Sequence, residues 1–278
     1  MARWVPLEAM FAGRVLACFL LAIQAVEESP GLGLPTAKSR PKFWRMTALP
    51  VDIWSDVVCP WCYVGKRRFE KALAQFPERG AVQVTWHSFE LDPAAPRQSQ
   101  DGTYSERLAR KYGTSQKEAV AMISRLTDVA RAEGLEFDFN HIRPGNTFDA
   151  HRLLHLAGAQ GLQNELKEHF LYAYFCEGAP IGDADTLASL ASEVGLIPDM
   201  IGEVLKSDRY SREVRQDEAH AAELGIRGVP FFVLGERFGV SGAQPTELHL
   251  EALEKASQSL AASAPEYSTG AACGPDGC

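Results

Sequence analysis

The chain is poor in cysteine, poor in positive charge and short of long apolar runs. Six cysteines in 278 residues (Cys18, Cys59, Cys62, Cys176, Cys273 and Cys278) are too few to staple a disulfide scaffold. Acidic residues outnumber basic ones 36 to 28, for a net charge of −8 and a sequence pI near 5.4. That balance argues against nucleic-acid binding through phosphate contacts. Val15 to Ala25 is an apolar run, but it falls short of the roughly 20 residues that span a bilayer. No membrane partner is expected. The chain does have a 46% hydrophobic fraction, enough for a sizeable core.

Within that background one motif dominates: Cys59-Pro60-Trp61-Cys62. It follows the apolar run Val51-Asp52-Ile53-Trp54 and opens a stretch, Pro60 to Phe76, that reads as helix. Pro60 is tolerated in the first turn. Two thiols three positions apart can close a disulfide within one helical turn. Unpaired backbone N–H groups and the dipole at a helix start stabilise a thiolate there. The expectation is therefore an acidified Cys59 as nucleophile and a deeper Cys62 as resolving thiol. Pro60 and Trp61 add neither imidazole nor cation, so the disulfide is expected to be only mildly oxidising, suited to isomerase or reductase work. Trp61 is expected to stand partly exposed beside Cys59. A zinc half-site is the competing reading of such a pair, and no metal is expected here.

Far along the chain, Gly228-Val229-Pro230-Phe231-Phe232-Val233 sets an X-Pro bond just before an apolar strand. Such bonds are cis in only about 5–6% of cases. With the dithiol motif, this stretch resembles the place where thioredoxin-like proteins set a cis-proline facing a Cys-x-x-Cys, and the resemblance implies a cis Val229-Pro230 bond that offers backbone to a substrate chain by strand addition.

Four motifs in order, Ser55-Asp56-Val57-Val58-Cys59-Pro60-Trp61-Cys62-Tyr63-Val64-Gly65, Trp86-His87-Ser88-Phe89-Glu90-Leu91, Asn146-Thr147-Phe148-Asp149-Ala150-His151-Arg152 and the Val229-Pro230 stretch, resemble the FrnE-like branch of the DsbA-type disulfide oxidoreductases. The resemblance spans about residues 51–260. It implies an α/β thioredoxin-like fold with a large α-helical insertion and thiol–disulfide exchange on unfolded or misoxidised proteins. It implies no required cofactor, with glutathione and other small thiols as redox partners. The sister 2-hydroxychromene-2-carboxylate isomerases carry Ser where this chain has Cys59. A glutathione-dependent isomerase or transferase of small aromatic compounds is the alternative function.

Periodicity fills in the rest. Val51–Trp54 and Ala81–Leu91 read as strands. Leu135–Phe139 reads as a short extended piece. Helices are expected over 103–112, 115–133, 147–159, 165–176, 184–194, 198–206 and 212–224, with Asn146 or Thr147, Asp183 and Asp208 as starts. A hairpin, 231–234 with 238–241, and a last helix over 245–261 close the fold. The domain expectation is a thioredoxin-like unit in two parts, 47–95 and 225–262, around a helical insertion over 96–224. Residues 1–46 form an extension that is disordered or not translated, with Met46 as the start and a cytoplasmic location. A signal peptide over 1–25 and export is the other reading. The tail 263–278 holds Cys273-Gly274-Pro275-Asp276-Gly277-Cys278, read as an accessory dithiol, as an incidental disordered tail, or as half of a Cys₄ zinc site with Cys59 and Cys62. Lys66-Arg67-Arg68 reads as a solvated face or as positive potential near the thiols. Cys176 reads as a small buried hydrophobe, and His151 and His155 as surface or groove residues without carboxylate partners.

Overall fold

The computed structural model describes residues 48–97 and 102–263. The N-terminal extension and the Cys273/Cys278 pair lie outside the described residues. Strand β1 (Leu49–Ser55) runs into α1 (Pro60–Gln75), and a short 3₁₀ turn leads to β2 (Val82–Ser88). Seven helices follow before the next strand: α2 (Tyr104–Tyr112), α3 (Gln116–Ala132), α4 (Phe148–Ala159), α5 (Gln163–Phe175), α6 (Ala184–Glu193), α7 (Pro198–Lys206) and α8 (Ser211–Glu223). Strands β3 (Phe231–Leu234) and β4 (Phe238–Ser241) and helix α9 (Thr246–Ser263) complete the order. The sheet runs β2-β1-β3-β4, with β1 and β2 parallel and the other pairs antiparallel. This is an α/β thioredoxin-like fold with a large helical insertion.

The side-chain period of two decides which face each strand residue serves. Val51, Ile53, Phe232 and Leu234 point to one face and pack with Phe69 and Leu253 of α1 and α9. Trp54, Phe231 and Val233 point to the other, against Ala221 and Ile226. A second core fills the helical insertion around Leu153, Phe170 and Phe175. The 135–139 stretch is no strand: among the described residues it joins no sheet and ends in a turn at Phe139. Its alternate residues Leu135, Phe137 and Phe139 are buried in that helical core, which accounts for the strand-like pattern.

Capping explains several helix starts. Thr103 with Glu106 and Ser115 with Glu118 form capping boxes at α2 and α3, and Asp183 accepts the Thr186 N–H at α6. The Asp208 expectation is corrected. Helix α8 begins after Tyr210, whose φ of 64° ends the preceding turn. At α4, Thr147 holds the N-cap position without a side-chain cap, and Asn146 accepts the Phe148 N–H instead.

The outer edge of β2 would be open to pairing. The Gln163 side chain closes it: Trp86 N–H donates to Gln163 Oε1 at 3.0 Å, and Gln163 Nε2 donates to the Trp86 carbonyl at 2.9 Å. Asp217 takes the Ser88 N–H at 2.7 Å. The same carboxylate holds His87 and His155, while His87 also reaches Asp52 and stacks on Trp54 with ring centroids 4.5 Å apart.

His249 is fully buried between Phe69 and Phe232, with neither ring nitrogen hydrogen-bonded. Burial, with the Arg68 charge adding to it, pulls its pKa from 6.5 to about 4. The folded ring resists protonation and the unfolded ring does not, so protons favour unfolding. Stability is therefore intact above pH 6.5 and falls as pH drops toward 4, by about 3 kcal/mol in all. His249→Phe is expected to remove this part of the acid loss, read from urea midpoints measured across that pH range.

Candidate functional site

Cys59 occupies the N-cap of α1 with φ −95° and ψ 111°, and Pro60 takes the first helical position. Cys62 lies in the first turn, its N–H donating to the Cys59 carbonyl at 3.0 Å. Both are free thiols, 4% and 1% exposed, so the expected order of depth holds but Cys59 is itself largely covered. The Val229-Pro230 bond is cis, and the Cys59 thiol donates to the Val229 carbonyl at 3.6 Å. Gly65 makes this approach possible: a Cβ there would sit 2.9 Å from the Pro230 ring. Trp61 stands 43% exposed beside the pair.

Beneath the thiols lies a buried ionic cluster. Asp56 and Lys167 are fully buried, and His151 is 1% exposed. His151 Nε2 meets Asp56 Oδ1 at 3.3 Å, and the Leu91 N–H donates to Asp56 Oδ2 at 2.8 Å. Lys167 Nζ donates to the Ser55 carbonyl at 3.1 Å. Burial opposes ionisation of Asp56, but His151, the Leu91 N–H and Lys167 outweigh it and hold its pKa below the usual value. Burial also pulls Lys167 down to about 8, while the charges of Cys62 and Asp56 pull the other way.

The two thiols titrate as a unit. The hydrogen bond to Cys62, then burial, pushes Cys59 well above the ordinary thiol value. Burial works against a Cys62 thiolate too, yet the Cys59 hydrogen bond and the Lys167 ammonium bring Cys62 below it. The expectation of an acidified Cys59 is thus corrected: of the two thiols it is Cys62 whose pKa lies below the ordinary value.

Other expectations change as well. Lys66-Arg67-Arg68 is not a solvated face. Lys66 is buried against Glu70 and Glu168, Arg67 pairs with the same two acids, and Arg68 binds Glu133 at 2.6 Å and the Ala243 carbonyl at 2.7 Å. The cluster is neutralised locally. His151 and His155 are not unpaired surface residues either: they meet Asp56 and Asp217. Cys176 is half-buried, and burial, then Glu177, raises its pKa to about 11. Among the described residues no group of three or more His, Cys, Asp or Glu side chains could hold a metal ion.

A groove of about 660 Å³ opens at Cys59. Trp61 and Val229 form its wall near the thiols, and Tyr104, Leu108, Ile123 and Leu126 of α2 and α3 form much of the rest. A family model described as a DsbA-like thioredoxin domain matches residues 50–254. The chain belongs to this family. It is 31% identical to YwbO of Bacillus subtilis over 188 residues, 67% of this chain and 86% of that protein. It is 45% identical to a structure described as a probable DsbA oxidoreductase from Streptomyces coelicolor, with a TM-score of 0.72, covering 83% of this chain and 98% of the other. A 2-hydroxychromene-2-carboxylate isomerase shares the fold at 17% identity and a TM-score of 0.56, covering 78% and 100% of the two chains. Among the described residues no helix is long and apolar enough to cross a membrane.

Sequence reasoning missed Lys167 and the partners of Asp56. Lys167 carried a signal: it lies on the α5 stripe with Leu166, Phe170, Leu171 and Tyr174, where a charge must be buried. The α2 and α3 residues of the groove carried none beyond amphipathic spacing.

Proposed function

We propose that the protein is a thiol–disulfide oxidoreductase acting on protein disulfides, with Cys59 as nucleophile and Cys62 as resolving thiol. One observation carries this reading: a dithiol at a helix start, facing the Val229 carbonyl at 3.6 Å, at the mouth of a groove large enough for a chain segment. As Cys59 attacks a substrate disulfide, its proton passes to the Cys62 thiolate and one substrate sulfur leaves as thiolate. The mixed disulfide then has two exits. Cys62, once deprotonated again beside Lys167, attacks the Cys59 sulfur and releases the second substrate thiol, completing a two-electron reduction. Alternatively a thiol of the substrate displaces Cys59, and the substrate disulfide is rearranged with no net electron transfer. Val229 and Pro230 present backbone to the bound chain, and Pro60 and Trp61 border it. Small thiols such as glutathione reduce the Cys59–Cys62 disulfide for the next turn by two successive exchanges. This chemistry suits the cytoplasm, where thiols are kept reduced.

The test is trapping. In a Cys62→Ser variant the first exit is closed, so a mixed disulfide between Cys59 and a scrambled protein substrate should accumulate, visible as a band on non-reducing gels that dithiothreitol removes. Absence of any covalent adduct in that variant contradicts the assignment. The apolar groove is also of a size for small aromatic molecules, which keeps glutathione-dependent isomerisation as a second reading. Turnover of a small substrate that survives Cys62→Ser would favour it.

A further inference from the structure

We propose that the groove selects substrate segments by charge: an extended stretch of a disulfide-bonded protein with an apolar side chain near its cysteine and a carboxylate a few residues away. This rests on the exchange reading above. Three cations, Arg107, Lys111 and Arg125, line the same groove as Cys59, in a chain whose net charge is −8. None of them forms an ion pair among the described residues. Arg107 is the most telling. Its Nη1 donates to the Gly102 carbonyl, and among the described residues its Nη2, which solvent does not reach in this conformation, has no hydrogen-bond partner. The protein thus uses only part of its fork, and a carboxylate is the acceptor that matches that fork once the side chain turns into the groove.

The spacing supports an extended occupant. On α2, Tyr104, Leu108 and Tyr112 recur at every fourth residue, and Arg107 and Lys111 come one position before Leu108 and Tyr112. On α3, Met122 and Leu126 do the same beside Arg125. The two helices thus bring apolar side chains and cations to the groove that Cys59 also lines. The acids of the lining are Asp56, which is buried and bonded to His151 and the Leu91 N–H, and Asp92, which accepts the Ala94 N–H. Neither neutralises the three cations.

The test uses peptides whose single cysteine is carried as a mixed disulfide with 2-mercaptoethanol, with Phe beside it and Glu, Gln or Lys further on. Second-order rates of reaction with the full-length wild type at low salt are compared. The Glu peptide is expected to react about fivefold to tenfold faster than the Gln peptide, as a partly desolvated charge-assisted contact implies, with the Lys peptide slowest. The Glu/Gln ratio should fall toward one at about 0.5 M salt. It should also fall in Arg107→Gln and in Arg125→Gln, and persist in Arg107→Lys. Equal rates for Glu and Gln peptides overturn the charge selection while leaving the exchange chemistry standing. Failure of all three peptides to react overturns both. If oxidised glutathione outpaces the Glu peptide and loses its advantage in Arg107→Gln, the cations serve a small ligand and the protein-segment occupant is overturned.

Discussion

Replacing Cys59 with serine should slow the reaction with any disulfide by about three orders of magnitude or more, because a serine hydroxyl stays protonated and un-nucleophilic where a thiol ionises. The prediction follows from placement. Cys59 is the sulfur nearest the groove mouth and the one facing the Val229 carbonyl, whereas Cys62 lies in the first helical turn with its sulfur toward Lys167. A substrate aligned along the Val229 backbone reaches Cys59 first. Cys62→Ser should behave differently: attack survives and resolution does not, so reduction stops after one covalent event. A Cys59→Ser variant that retains rapid exchange would move the nucleophile to Cys62 and require the groove to admit substrate a full turn deeper.

The second large effect belongs to Lys167. Its ammonium is fully buried, 5.7 Å from the Trp86 ring and hydrogen-bonded to the Ser55 carbonyl. It supplies positive charge to the Cys62 thiolate from below. An opposite charge nearby, in an interior that screens poorly, shifts a thiol toward its ionised form. Lys167→Met keeps the chain length and apolar stem and removes the charge. The dithiol should then lose its first proton at higher pH, and alkylation near neutral pH should slow about tenfold or more. Asp56 would keep His151 and the Leu91 N–H as partners. A pH profile of alkylation with an unchanged midpoint, on protein shown folded by its circular dichroism, would contradict the role. The positive end of α1 would then be the main source of acidity.

Much of the fold was legible along the chain because its signals were local. The β1–Cys59–α1 sequence, the short β3–β4 hairpin and most helices announced themselves through periodicity and turn residues. Errors arose where a local pattern served a distant partner. Leu135–Phe139 alternates like a strand because the helical core takes its alternate side chains, not because a neighbouring strand does. Lys66-Arg67-Arg68 looked solvated because two of its three acids, Glu133 and Glu168, lie some 60 to 100 residues away. His151 and His155 looked unpaired because Asp56 and Asp217 come from β1's end and α8. Spacing alone credits Cys59 with the helix start, whereas the lowered Cys62 pKa depends on the Cys59 hydrogen bond and on Lys167, which comes from α5. The groove was the least legible feature, since α2 and α3 meet Trp61 and Val229 only after folding.

The most direct test of the central claim is recovery of activity from a scrambled, disulfide-bonded enzyme in a glutathione buffer, with and without this protein. The account predicts recovery above the rate of glutathione alone, lost in Cys59→Ser. Recovery no faster than glutathione alone with the wild type would contradict it.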